Sequence, residues 1–338
     1  MPIARSQTAE LATSSSLPDL YRRSAVEDHI KNLSTGIIMK CLHIFHDKYP
    51  ELAIVHIPTF LSSIQSSRST ETTSLLTAIL AVTRAQLSVL NATLAEKLMP
   101  SEQYAHFARD LLSDLMLQPP KIYIVQALLI ITLHEWGSRD FHKAWVYCGI
   151  AIRIMQALHS LRVAPYPLDP TSERETDLVT RAIETRTYWA CFIMDCMVNS
   201  GTYNPPMLTI SEMKKLKIPR PLGVVEFAFG HGAVEQAALA TREFDMTQGF
   251  EILVGGFDIW NQLTTFIFND GRRAPGMCAA ANCPWVPGSP WWASRSQLEA
   301  WRSSQPRRLI YPDVSVAVHM TLGYGETFTY LNLIYYVR

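Results

Sequence analysis

The sequence predicts an all-α, multi-helical fold with long Pro/Gly/Trp-rich loops, and three observations carry that expectation. Apolar residues recur at three- and four-residue spacing along most of the chain, the period of a helix with a buried face. No alternating strand pattern, heptad run or internal repeat is found. Proline-bearing stretches such as Pro119-Pro120 and residues 271–312 punctuate the periodic segments.

Residues 1–24 are rich in Ser and Thr, lack periodicity and read as a disordered lead-in. From Val26 to Phe45 the positions Ile30, Leu33, Ile37, Ile38, Cys41, Leu42 and Phe45 have helical period, which stops near Tyr49-Pro50. ELAIVHIPTF then ends with Pro58 in a turn before another helical piece. Ser74 to Leu90 reads as a buried helix, and Ser101 to Met116 repeats the pattern with Tyr104, Phe107, Leu111 and Leu115.

A central unit, residues 121–222, begins with three helices. The first is apolar on nearly every face from Ile122 to Leu133, which suits burial on all sides. The second starts near Phe141 after Gly137-Ser138-Arg139-Asp140, and its Ala144, Cys148 and Ala151 let a neighbour approach closely. The third, about Glu173 to Ser200, opens on Ser172 and Glu175 in the spacing of a capping box. A proline-punctuated connector follows, with a short helix around Glu212 to Leu216. Helical character returns from about Gly232 to Asn269, broken by Gly255-Gly256. Residues 271–312 then form a loop carrying Trp285, Trp291, Trp292 and Trp301, and a last helix runs from Ser315 to Arg338. Its apolar end lacks a C-cap, so the fold is expected to continue past it, and the domain of residues 25–338 is read as truncated at both ends.

At 338 residues and 48% hydrophobic content the chain can bury a sizeable core as one large domain or two smaller ones. Thirty Lys plus Arg balance thirty Asp plus Glu, so no global field draws it to nucleic acid or anionic lipid. The longest apolar run, Ile122 to Leu133, falls short of the roughly 20 residues a bilayer needs, and no membrane association is expected. The N-terminus has no apolar signal core, and most of the six cysteines lie in helical apolar stretches, as reduced thiols of a nuclear or cytosolic protein do.

Catalytic and metal motifs are sparse. Neither a phosphate-cradling G-x-x-x-x-G-K-[ST] nor a G-x-S-x-G elbow occurs, and His134-Glu135 meets Ser138 where a zincin needs its second histidine. Cys41, His43, His46 and Asp47 lie close in sequence, but no further ligand set follows. Polar residues at a helix end, facing solvent or a loop, are the plainer reading. Cys191 and Cys196, five apart on a helix, read as core thiols. Cys278 and Cys283 miss the C-x-x-C spacing and read as structural or incidental. Trp and Arg residues in the 271–312 loop admit a stacking and phosphate reading, although tryptophans that anchor a loop onto its own domain explain them better.

Six words in order resemble the middle homology, or regulatory, domain of fungal-specific transcription factors. They are HIPTF at His56 to Phe60, Gly149-Ile150-Ala151-Ile152-Arg153, Leu158 with Leu161-Arg162, Arg186-Thr187-Tyr188-Trp189, Phe192-Ile193-Met194-Asp195, and Ile218-Pro219-Arg220-Pro221. The resemblance covers about Asp47 to Leu222 and implies nuclear localisation, regulation of transcription by RNA polymerase II, and, for full-length members, zinc and DNA binding. None of the six cysteines here has the C-x-x-C-x-x-x-x-x-x-C start of the two-zinc cluster. No cofactor is therefore expected of this chain, and zinc or DNA contact would come from a cluster lying outside it. The family's arginine run before T-F-W is replaced by Ala182, Glu184 and Thr185, and its G-R-P word appears only as Tyr203-Asn204-Pro205.

The same residues have a physical reading. Gly149 in mid-helix costs about 1 kcal/mol relative to Ala, which makes sense where a neighbouring backbone or ring needs the space. Arg153 and Asp195 are charges in apolar helices, expensive if unpaired. They predict a structural polar network of Arg153, Asp195, Glu184 and Arg186 joining the second and third helices, with Arg153 paired to Asp195 or Glu184. Gly149, Ala151, Tyr188, Trp189 and Pro219 are assigned to packing. No catalytic residue is predicted. Partners are expected to be transcriptional co-regulators, self-association or a small-molecule effector. The alternatives are a stand-alone helical interaction or metabolite-sensing module without DNA binding, and an all-α enzyme.

Overall fold

The computed structural model describes residues 17–163, 175–200, 206–223, 227–228, 249–271 and 273–336, and these hold fourteen α-helices and no strand. Helix α1 (Leu17–Asn32) starts inside the stretch read as a disordered lead-in, and residues 1–16 lie outside the described residues. The single helix predicted from Val26 to Phe45 is two, because Ser34 caps α2 (Thr35–Lys48) by accepting from the Ile37 amide. The α3 helix (Ile57–Ser66) explains the HIPTF word. His56 is its N-cap, Pro58 occupies the first turn where no amide partner is needed, and Phe60 is buried.

The core is built on α4 (Thr70–Leu90), α6 (Ser101–Leu115) and α7 (Ile122–Gly137), with the one-turn α5 (Ala92–Ala95) between α4 and α6. Every residue of α7 from Ile124 to Thr132 is buried, the all-round burial its sequence predicts, by packing against α4, α6, α8 (Phe141–Val163) and α9 (Glu175–Val198). α4 is long and apolar enough to cross a membrane by composition, but it packs on α2, α6 and α7 within the chain's own core. Arg139, at φ 64°, makes the sharp turn between α7 and α8 that Gly137 was expected to begin. Ala144, Cys148 and Ala151 are buried on α8, the small-residue face the sequence predicts. The capping box expected of Ser172 lies outside the described residues.

The second half departs further from expectation. The short connector helix, α10 (Ile210–Lys215), does form, closed by a Thr209–Glu212 capping box. Gly255-Gly256 does not break α11 (Gly249–Thr265); the pair makes a seat where the Trp301 ring lies against the helix, and a Cβ on Gly256 would stand 2.8 Å from it. A π-helical turn, Phe266–Asp270, follows. Within the predicted long loop Ser289 and Pro290 start another helix, α12 (Pro290–Ser303). The last predicted helix is two, α13 (Val316–Thr321) and α14 (Gly325–Tyr336), divided at Gly323, which has φ 79°. One core of buried apolar side chains extends from Val26 to Ile334.

Candidate functional site

Three of the signature words, Arg186–Trp189, Phe192–Asp195 and Ile218–Pro221, meet along α9. Arg186 is fully buried on it, with Nε donating to the Ala53 carbonyl at 2.8 Å and Nη1 to the Leu222 and Gly223 carbonyls at 2.8 and 3.3 Å. Its guanidinium lies over the rings of Phe227 and Phe250, 4.5 and 4.6 Å from their centroids, while Nη2 has no partner. Among the described residues no carboxylate neutralises it. Burial alone lowers its pKa to about 9, still a cation near neutrality. Glu184, half-buried on the same helix, receives none of these bonds.

The residue after Arg186, Thr187, accepts from the Gln126 amide at 3.1 Å, and Gln126 also donates to the Ile54 carbonyl. Trp189 donates to the Pro219 carbonyl at 2.7 Å, so Pro219 contributes its backbone while its ring is exposed. Asp195 accepts from the Leu208 amide at 2.7 Å and from Asn199 Nδ2 at 2.7 Å; Asn199 Oδ1 in turn accepts from the Trp145 indole of α8 at 3.0 Å. Burial outweighs these bonds and pushes the Asp195 pKa up to about 6. Tyr188 is buried with its hydroxyl unpartnered, its ring edge-on to His159 at 5.8 Å.

Arg153 corrects the predicted network. It is exposed and bonds Gln156, one turn along its own helix, at 2.9 Å, reaching neither Asp195 nor Glu184. Its apolar neighbours Ile152 and Met155 point inward while it points out, because adjacent helical positions lie about 100° apart. α8 and α9 are instead joined from Trp145 through Asn199 to Asp195; the sequence singled out Asp195, while the ordinary contexts of Trp145 and Asn199 gave no signal. Gly149 also differs from expectation: neither a backbone nor a ring faces it. The Met207 sulfur stands 3.6 Å from where a Cβ would be, ordinary contact distance.

Buried polar groups missed in the sequence surround the turn at Pro50–Leu52. His46, read as solvent- or loop-facing, is half-buried near Arg186, and burial lowers its pKa to about 4. Glu51 is fully buried with neither carboxyl oxygen in a well-aligned hydrogen bond, and burial raises its pKa to about 7. His56 Nδ1 accepts from the Thr59 amide at 3.4 Å, which leaves Nε2 to donate to the Ala228 carbonyl at 3.3 Å. Cys41 is buried and His43 and Asp47 are exposed, so that sequence cluster does not converge. Among the described residues no three His, Cys, Asp or Glu side chains come together as metal ligands would, and all six cysteines are free.

This arrangement holds chain segments together. Arg186 ties α9 to the Ala53 turn and to the connector end at Leu222-Gly223; Trp189 and Asp195 tie it to Pro219 and Leu208. Residues 42–220 match the fungal specific transcription factor domain. The chain is similar to a transcriptional regulatory protein of Schizosaccharomyces pombe, 26% identical over 303 residues, covering 84% of this chain and 29% of that one. It is similar also to the Zn(2)-C6 fungal-type transcription factor FTF1c of Fusarium oxysporum f. sp. lycopersici, 24% identical over 307 residues, covering 83% of this chain and 31% of that one. The chain thus spans about three-tenths of the length of these relatives. No solved structure matches it. With more than half of its length matched, the chain belongs to the fungal specific transcription factor domain family.

Proposed function

We propose that this chain is the regulatory domain of a nuclear transcription factor that controls transcription by RNA polymerase II. It acts through bound partners or an effector and not through a reaction of its own. The observation that supports this reading is where the signature side chains end. Arg186, Trp189 and Asp195 all bond the chain's own backbone, so the words that mark the family maintain a scaffold. Zinc and sequence-specific DNA contact belong, on this proposal, to a separate domain of the kind named in the Zn(2)-C6 relatives. An enzyme would need acids, bases or a nucleophile converging on a cavity, and the buried acids Glu51, Glu135 and Asp195 lie on separate elements instead, Glu135 paired with Arg109.

Fusing the chain to an unrelated DNA-binding domain upstream of a fungal reporter tests the proposal. Reporter output should change severalfold, up or down, and no change from a nuclear, folded fusion would overturn it. In a gel-shift assay the chain alone should form no sequence-selective DNA complex; tight selective binding would overturn the assignment of DNA contact to another domain.

A further inference from the structure

Between α11, the π turn and α12 lies a cleft of about 770 Å³, within the size range of small-molecule sites. Its walls are aromatic. Trp260 of α11 and Trp291 of α12 are half-buried, Phe268 and Leu298 line the same cleft, and Trp285 in its lining is 74% exposed. An indole left that far in water loses little by its present position and gains apolar burial from any flat occupant.

The polar groups narrow the occupant. Trp260 Nε1 already donates to Ser200 Oγ at 3.2 Å, and the Thr264 hydroxyl to the Trp260 carbonyl at 3.0 Å. A sugar or nucleoside, which needs many directed hydrogen bonds, finds few donors or acceptors here. Among the described lining residues Arg295 carries the one charge. Its Nε lies 3.6 Å from Glu299 Oε1 in an exposed i,i+4 ion pair, a contact worth little in solvent, while Glu299 Oε2 accepts from Tyr335. A cationic ligand would be repelled by Arg295 and an uncharged one would leave it unused.

We propose that this cleft binds a planar aromatic carboxylate, its rings between the indoles and its acid group on the Arg295 guanidinium. The assignment deepens the regulatory reading by naming the class of molecule the domain would sense, and it depends on that reading only for its biological role. The probe is 2-naphthoate, with 2-naphthalenemethanol as the uncharged comparison, titrated into the whole chain and followed by tryptophan fluorescence and calorimetry. Saturable binding of one naphthoate is expected. Arg295→Met should weaken it about tenfold or more and leave the alcohol unchanged, the loss of one charge-assisted contact. Ser294→Trp, which adds a ring to the half-buried lining, should abolish both with the thermal melt retained. No saturable binding up to millimolar concentration, or binding indifferent to both substitutions, would overturn the site. Equal weakening of acid and alcohol by Arg295→Met would overturn the carboxylate. The reporter assay is read separately, so binding without a reporter response would sink the sensing role and leave the site standing.

Discussion

Arg186 and Arg153 both sit in apolar helical sequence, and their fates differ because of where the helix turns them. Arg186 is inside, with three backbone carbonyls and two aromatic rings around it; Arg153 is outside with Gln156. Removing Arg186 leaves those carbonyls unsatisfied in a dry core. Arg186→Met is therefore expected to lower unfolding free energy by about 3 kcal/mol or more in urea titration. Arg153→Met should stay within about 0.5 kcal/mol of the natural chain, as exposed substitutions do. A measured loss for Arg153 comparable to that for Arg186 would refute the placement of the two side chains. The sequence singled out both residues as members of one network, correctly sensing that a charge among apolar neighbours needs an explanation. It could not say which charge is buried, because neighbouring positions on a helix differ in facing by more than a quarter turn.

At the scale of elements, α7 announces its burial by being apolar all round, and a short helix was legible around Glu212. The reciprocal Thr209–Glu212 cap that opens α10 was missed, although its partners lie within four residues. Thr209→Ala should cost about 1 kcal/mol in the same assay. Glycines were misread because their reason lies across the molecule. Gly256 admits the Trp301 ring from α12, and a Cβ there would also stand 3.1 Å from Ile334 of α14. Gly256→Val is expected to destabilise by about 2 kcal/mol through overpacking, and to blue- or red-shift tryptophan emission as Trp301 is displaced. Gly149→Ala should be neutral or stabilise by up to about 1 kcal/mol, since the Met207 sulfur tolerates a methyl at contact distance. Destabilisation at Gly149 equal to that at Gly256 would show that the two glycines serve the same steric purpose.

For the whole molecule, the turn at Pro50–Leu52 is where α2, α9 and α11 meet, and its Glu51 faces Tyr330 of α14. Raised from an ordinary 4.5 to about 7, Glu51 keeps a proton in the folded chain after the unfolded chain has lost it. Its contribution to stability is complete below pH 4.5 and is lost as pH rises through about 7. Asp195, raised to about 6, acts in the same sense at lower pH. His46, lowered from 6.5 to about 4, acts oppositely: it is the unfolded chain that keeps the proton, so this penalty fades as pH climbs from 4 to 6.5. Glu51→Gln removes the Glu51 term, and its stability relative to the natural chain should rise by on the order of 2 kcal/mol from about pH 5 to about pH 7.5. A difference that stays constant over that range, followed by urea unfolding at each pH, would show that Glu51 is ionised in the fold. By itself the sequence determined the helical class, the buried central helix and the family, because periodicity, capping and short words are properties of neighbouring residues. Only tertiary structure decided that Arg186 and not Arg153 enters the core, that Asp195 holds Leu208, and that Trp301 needs Gly256. Each of those contacts joins residues far apart in the chain, and their placement follows from packing rather than from local spacing.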